Sequence, residues 1–361
     1  MNNGISVYLG LNNTIDENIS LIEAAHACGI KRLFTSLHIP ETDFKALKEE
    51  LLAVLSCARR YGMEVISDVS PASLTLLQMD ELNPEQLLKW GISTIRLDYG
   101  WTAEKIAQLS RSGLKLQFNA STAAREFLDK LKQAHVDFAH IDALHNFYPR
   151  EGTGLDLAKF AWQNELLREY GIKTAAFIPS YSRTRPPLYK GLPTLEEHRW
   201  QSADFAMRHM AAMGLESVFI GDSLPTKREL QSLGSLSNDT VTLRGKSRTN
   251  NSFIKYILAQ NTFTVRPDSP SYAVRLTEGR ALCKGHEIMP EYRAERRPGC
   301  ITLDNLFAGR YMGELQIIMQ SRPADESVNI IAELPARELK ILSCINASDT
   351  KQLKIELSKT P

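Results

Sequence analysis

Long apolar runs are missing from this sequence of 361 residues. No stretch approaches the ~20 consecutive apolar residues that span a bilayer, so a membrane-embedded protein is not expected. A surplus of one charge is missing too, because 43 Lys and Arg face 42 Asp and Glu for a formal net charge of +1. Without a basic stripe, neither nucleic acid nor an anionic membrane is expected as a partner. Cysteine is scarce: Cys28, Cys57, Cys283, Cys300 and Cys344 are odd in number and scattered, with no C-x-x-C pair. That pattern gives neither a disulfide framework nor a zinc knuckle, and it fits a reducing cytoplasm. The opening Met-Asn-Asn-Gly-Ile-Ser-Val-Tyr has no basic segment and no apolar core of a secretory signal. What is present is ordinary folded-protein composition, 43% hydrophobic and 24% charged. A soluble, cytoplasmic protein is the expectation.

Two grammars divide the chain. From residue 4 to 235, short apolar runs alternate with helical patterns. The runs are Ile5–Leu11, Arg32–Ile39, Glu64–Val69, Thr94–Asp98, Leu114–Asn119, Phe138–Leu144, Thr174–Pro179 and Ser217–Asp222. Each is rich in Val, Ile, Leu or Phe, as strands buried in a parallel sheet are. Helix signals lie between them: Thr14 and Glu17 have capping-box spacing, and Gly29, Gly62, Gly171 and Gly214 stand where helices should stop. Eight strand–helix units predict an α/β fold, a (β/α)8 TIM-type barrel over residues 1–236. No Gly-rich phosphate loop follows the first strand, which disfavours a dinucleotide-binding sheet. From about residue 240 the helical period fades. Ser271–Leu276, Glu314–Gln320, Val328–Leu334, Lys340–Ile345 and Gln352–Leu357 read as short strands punctuated by Gly and Pro. A β-rich domain over 240–361 is expected, after a short Ser-rich linker.

In such a barrel the chemistry sits at the C-terminal strand ends, and alternate residues point inward. Parity places Ser6, Tyr8, Gly10 and Asn12 on one face of the first strand and Arg96 with Asp98 on the fourth. Gln117 and Asn119 share the fifth, while His140 and Asp142 share the sixth, ahead of His145-Asn146-Phe147-Tyr148-Pro149-Arg150. The second, third and eighth strands end at His38, Asp68 and Asp222. Each alone could be a hydrogen-bonded structural group. Together they would be costly to bury without a ligand.

Three chemistries compete. Asp68, Asp98 and Asp142 could run acid–base chemistry on a sugar, with Asn119, Tyr8 and His145 as hydroxyl partners. Strands ~4.8 Å apart could bring two carboxylates into glycosidase range, whether retaining or inverting. His38, Asp68, His140, Asp142 and His145 could instead hold a metal, but no short ligand signature supports a metal-dependent hydrolase. A pyridoxal phosphate enzyme would need a Schiff-base lysine near a strand end, and the first strand carries none. No cofactor and no metal are therefore expected. Trp162 and Trp200 read as helix packing residues, and Tyr181–Pro187 as a loop that covers substrate.

Several motifs carry a family resemblance. They are Leu33–Glu41, Arg96-Leu97-Asp98-Tyr99-Gly100, Asn119-Ala120-Ser121-Thr122, the His145–Arg150 run, Gly191–Arg199 and Ile220-Gly221-Asp222. Gly299–Asn305 and Gly309–Ile317 continue the pattern toward the C-terminus. In these segments the chain resembles the 6-phospho-N-acetylmuramidase (MupG) family. The resemblance implies a (β/α)8 barrel followed by a cyclophilin-like β-barrel. It also implies cytoplasmic hydrolysis of N-acetylmuramic acid 6-phosphate–N-acetylglucosamine in cell-wall recycling. The alternative is a sugar-phosphate-binding protein of lost or altered activity on the same scaffold.

On this reading Asp98 and Asp142 supply the two carboxylate functions, with Asp68 in reserve. Tyr8, His38, Asp68, Arg96, Asn119, His145, Asn146 and Tyr148 bind substrate. Arg150 and Arg185 hold its anions, since a nearly neutral chain must use local cations and arginine meets phosphate bidentately. Arg96 is expected to orient Asp98.

Overall fold

In a computed structural model that describes residues 1–36, 44–69, 79, 81–97, 100–345 and 351–358, eight parallel strands close on themselves. They are β1 (Gly4–Ser6), β2 (Arg32–Ser36), β3 (Glu64–Val69), β4 (Thr94–Leu97), β5 (Lys115–Asn119), β6 (Ile141–Leu144), β7 (Lys173–Ile178) and β8 (Ser217–Ile220). β8 returns to β1 through the pairs Gly4–Phe219 and Ile5–Ile220, so no strand edge is left in the sheet. Helices follow the strands: α1 (Ile15–Ala27), α2 (Phe44–Arg60), α3 (Pro84–Trp90), α4 (Ala103–Leu109), α5 (Arg125–Gln133), α6 (Leu157–Glu169), α7 (Ala203–Ala212) and α8 (Lys227–Gly234). The expected TIM-type barrel is present.

Local chemistry explains these boundaries. The Thr14 hydroxyl accepts the Glu17 N–H while the Glu17 carboxylate accepts the Thr14 N–H, so two unpaired donors at the start of α1 are satisfied. Beyond α1, Gly29 takes a φ of 80°, where a side chain would be strained. One expected strand begins late, because Phe138–His140 forms a 3-10 turn capped by Asp137 before β6 starts.

The barrel axis is filled by aromatic side chains rather than by the usual branched aliphatics. Phe34, Phe177 and Phe219 come from β2, β7 and β8, with centroids 5.2 Å apart for the first pair and 5.7 Å for the second. Ile66, Leu144 and Ala175 fill the gaps, and Tyr8 and Phe147 close the layer from above. Each fully buried Phe contributes about 1.5–3 kcal/mol. The polar chemistry is thereby divided between the two barrel ends.

The chain separates into two compact units, Met1–Met210 with Leu215–Leu236, and Ala211–Gly214 with Ser237–Pro361. The second contains β9 (Thr240–Ser247), α9 (Ser252–Gln260), β10 (Thr262–Thr264), β11 (Ala273–Leu276), α10 (Gly279–Leu282), β12 (Cys300–Asp304), β13 (Leu315–Ile318), β14 (Val328–Glu333), α11 (Ala336–Ser343) and β15 (Gln352–Ser358). Its sheet runs β10-β15-β9-β14-β12-β13-β11. The outer strands almost meet: Arg266 N–H donates to Arg275 O at 2.9 Å and Thr277 N–H to Thr264 O at 3.0 Å. The sheet is thus a nearly closed barrel around Ala273, Cys300, Ile318 and Ile330. The strand expected at Lys340–Ile345 is instead mostly the end of α11, which buries Glu338, Ile341 and Leu342 at helical spacing. β9 was not anticipated, although Val241, Leu243, Gly245 and Ser247 alternate with more exposed residues.

Candidate active site

The N-terminal end of the barrel holds a closed ion cluster. Arg32, on the first residue of β2, meets Asp142 Oδ2 at 2.6 Å and Glu64 Oε1 at 3.1 Å. Gln117 donates to Asp142 Oδ1 at 2.8 Å, and Thr94 and Lys115 donate to Glu64. Burial works against the Glu64 charge, yet Arg32, Thr94 and Lys115 together hold its carboxyl below the usual range. Burial raises the carboxyl of Asp142, with Arg32 opposing the rise. A recess of about 250 Å³ opens here, lined by Arg32, Glu64, Lys115, Asp142 and Lys173. With Glu216, which pairs with Lys173 at 3.7 Å, three carboxylates there balance three cations.

This cluster places Asp142, expected as a catalytic carboxylate, with Arg32 and Gln117 and away from the mouth. Asp68 pairs in register with Arg96, Arg96 with Gln117, and Gln117 with Asp142, so all four share a row and an orientation. Parity alone therefore reads Asp142 as equivalent to Asp68. Strands in such a barrel tilt by roughly 36°, and at ~4.8 Å per strand the row descends roughly 8 Å between β3 and β6. Asp68 emerges at the C-terminal mouth, whereas Asp142 emerges at the opposite end. His140 goes with it, exposed beside Asp137 and lining the same recess.

At the mouth, a chain of hydrogen bonds fixes one carboxylate. Asn146 N–H donates to Ser121 Oγ at 2.9 Å, and Ser121 Oγ lies 3.1 Å from His145 Nδ1. His145 Nε2 faces Asn164 Oδ1 at 3.4 Å, so the neutral ring carries its proton on Nε2. Burial is the main reason that the imidazole titrates at about 3, helped by Arg96. His145 thus lies behind the site, against Phe160 of α6, and positions Asn146 through Ser121. Asn119 contributes by accepting Ser121 N–H at 3.1 Å. Arg96 then gathers Asn146 Oδ1 at 2.6 Å, Leu144 O at 3.2 Å and Asp68 Oδ1 at 2.9 Å. Asp68 remains 24% exposed, with Oδ2 free of hydrogen bonds among the described residues. Among the described residues the carboxylate partner of Arg96 is Asp68, while Asp98, which Arg96 is expected to orient, lies outside them.

The segment after β7 brings the cation. Asp222, fully buried beyond β8, accepts N–H groups from Ser180 (2.9 Å), Arg185 (3.1 Å) and Leu192 (3.1 Å). Burial pushes its carboxyl up to about 6 against those three donors, and its role is to hold the loop. Arg183 pins the same loop to Glu17 at 2.7 Å. The Arg185 guanidinium then lies over the Tyr8 ring at 4.4 Å and the Phe147 ring at 5.4 Å. It has no hydrogen bond or ion pair among the described residues, and Nε is buried. Tyr8 itself donates its hydroxyl to Gly221 O at 2.7 Å, so it offers its ring rather than a hydroxyl.

Behind the loop, Arg199 is a buried staple that the sequence reading missed. It bonds both Glu196 oxygens, Lys190 O and Gly191 O on one side, and Tyr148 O and Arg150 O on the other. Arg199 and the N–H groups of Gly152 and Gly154 hold the Glu196 carboxyl at about 2. Tyr148 and Arg150 therefore enter this network through their carbonyls, with the Arg150 side chain exposed. The signal for Arg199 was an Arg three residues after a Glu.

His38 and Asp98 lie outside the described residues. Within them, the metal alternative is not assembled: His140 and His145 occupy different ends and layers, and Asp68 is paired with Arg96. A separate group, Glu197, His198 and His209, offers ligand atoms within 4.8 Å of one another. There His198 Nε2 and His209 Nδ1 lie 2.9 Å apart as a buried hydrogen-bonded pair.

No curated protein matches the sequence. A family model described as 6-phospho-N-acetylmuramidase, N-terminal, matches residues 3–235, and one described as 6-phospho-N-acetylmuramidase, C-terminal, matches residues 241–354. Among solved structures, the chain is similar to an uncharacterized protein of B. cereus, with 28% identity, 98% of each chain covered and a TM-score of 0.85. It is also similar to a conserved Enterococcus faecalis protein of unknown function, with 32% identity, 99% of this chain and 97% of that chain covered, and a TM-score of 0.71.

Proposed function

The chain belongs to the 6-phospho-N-acetylmuramidase family, and from that premise we propose that it hydrolyses N-acetylmuramic acid 6-phosphate–N-acetylglucosamine in cytoplasmic cell-wall recycling. The observation that carries this reading is Arg185, whose guanidinium at the barrel mouth lies over two aromatic faces and makes no hydrogen bond or ion pair among the described residues. Its planar fork suits a phosphate or the lactyl carboxylate of the substrate. Because Asp222 fixes the Arg185 backbone, the anion would find the cation already in place.

Cleavage then needs a proton for the leaving oxygen and a carboxylate for the anomeric carbon or the attacking water. Asp68 is proposed for the carboxylate function, held through Oδ1 by Arg96 with Oδ2 left for the reacting centre. Asp98, which follows β4 in sequence, is proposed as its partner. Asn146 serves as a positioning residue, keeping the Arg96 guanidinium against Asp68.

The test compares phosphorylated and dephosphorylated muramyl disaccharides on wild type and Arg185→Ala. Wild type should prefer the phosphorylated sugar, and the variant should lose about 10²-fold in that preference. A wild type indifferent to the phosphate would overturn the assignment of Arg185 and of the sugar phosphate together.

A further inference from the structure

Trp200 was expected on a helix as a packing residue, but it stands in the segment between β7 and α7 and is 56% exposed. Its φ is 67°, and Tyr189 in the same segment has a φ of 54° and is 55% exposed. Bulky residues are strained in this left-handed region, where glycine is at ease. An exposed indole contributes little to a core. Neither backbone preference nor burial accounts for tryptophan at this position.

The side chain is nonetheless held in place. Tyr181 stacks on the indole with centroids 5.4 Å apart and planes 16° from parallel. The Tyr181 hydroxyl accepts the Trp200 N–H at 2.8 Å, and indole Nε1 donates to Glu151 Oε1 at 3.2 Å. Lys190 Nζ lies 5.5 Å from the Trp200 ring centroid. Tyr181 in turn packs on Gly191, where an added Cβ would sit 2.8 Å from the phenol oxygen. The neighbours of these two residues, Ser180 and Leu192, are the ones tied to Asp222. The aromatic pair is therefore fixed to the β8 side of the mouth.

We propose that the Trp200–Tyr181 pair is the subsite for the uncharged amino sugar of the substrate, the leaving N-acetylglucosamine. This rests on the hydrolysis proposed above. A pyranose presents an apolar C–H face and a hydroxyl-bearing edge. The stacked rings supply a flat apolar surface for the face, and Glu151 and Lys190 supply an acceptor and donors for the edge. Those two charges cancel, so the patch favours a neutral ring, while the anionic sugar is left to Arg185. The strain at Trp200 is then the cost of presenting an aromatic face outward.

Trp200→Ala should raise KM for the phosphorylated disaccharide roughly tenfold with kcat within twofold, and Trp200→Phe should recover part of the loss. Inhibition by the 6-phosphorylated muramic monosaccharide, which lacks the neutral ring, should be unchanged. Trp200→Gly removes the strain, so it should keep the melting temperature while raising KM equally. Should Trp200→Gly melt earlier with KM intact, the indole is structural and the subsite does not exist. A Trp200→Ala variant whose sedimentation changes while KM does not would make the patch a contact between copies, which also overturns the proposal. If wild type fails to hydrolyse the disaccharide, the function falls, and the subsite is then tested by titrating N-acetylglucosamine oligomers against tryptophan fluorescence. Quenching that Trp200→Ala abolishes supports it; no quenching in wild type overturns it.

Discussion

Asp68 and Asp142 have the same residue type, the same inward orientation and the same register row, yet they meet opposite ends of one barrel. Their substitutions should therefore separate function from stability. Asp68→Asn should leave the melting temperature near wild type and lower kcat by orders of magnitude, because a carboxylate role in the proposed hydrolysis is lost. Asp142→Asn should leave kcat within a few-fold. It should destabilise by about 1–3 kcal/mol, since Arg32 keeps Glu64 but loses its shorter ion pair. Denaturant melts beside steady-state rates would check both, and a slow, fully stable Asp142→Asn enzyme would reverse the assignment.

At the scale of elements, the mouth is shaped by two loops that the strands alone do not fix. The β6–α6 loop and the β7–α7 loop are joined by Arg199, whose side chain is almost wholly buried and bonded on both sides. Replacing it leaves the Tyr148 and Arg150 carbonyls and the Glu196 carboxylate without their main donor. Arg199→Ala should cost about 3–5 kcal/mol, as expected for one half of a buried pair removed. KM should rise as well, because Tyr181 and Trp200 are carried on the released segment. Arg199→Lys should rescue little, since one ammonium cannot span both loops. A variant that melts like wild type would show that the loops are held by other contacts.

For the whole molecule, a net charge of +1 gives no field to collect anions, so recognition falls to single cations placed by the fold. Stability against acid is likewise set by a few buried groups. The His145 imidazole is held at about 3 by burial, against an ordinary value of 6.5. Below pH 6.5 the unfolded chain takes up a proton that the folded chain refuses. The contribution of neutral His145 is therefore complete above about pH 6.5 and is lost as pH falls toward 3, at about 1.4 kcal/mol per pH unit. In His145→Asn that part of the slope should vanish, as denaturation at pH 7, 6, 5 and 4 would show. Parallel wild-type and variant profiles would mean that the ring is not the group responsible.

The barrel was legible in the sequence, because alternating apolar runs, a capping box at Thr14 and Glu17 and stops such as Gly29 are local signals that agree with the tertiary result. It also pointed to the segment after β7, which carries Arg185 to the ring of Tyr8. It could not separate Asp68 from Asp142, because side-chain parity is local while the height of a register row depends on strand tilt around the closed sheet. Nor could it place Trp200, whose exposure follows from a loop path set by the bonds of Asp222 to Leu192 and of Arg199 to Tyr148, contacts between segments well separated in sequence. Local chemistry chose the elements; closure of the barrel decided which of their side chains meet at its mouth.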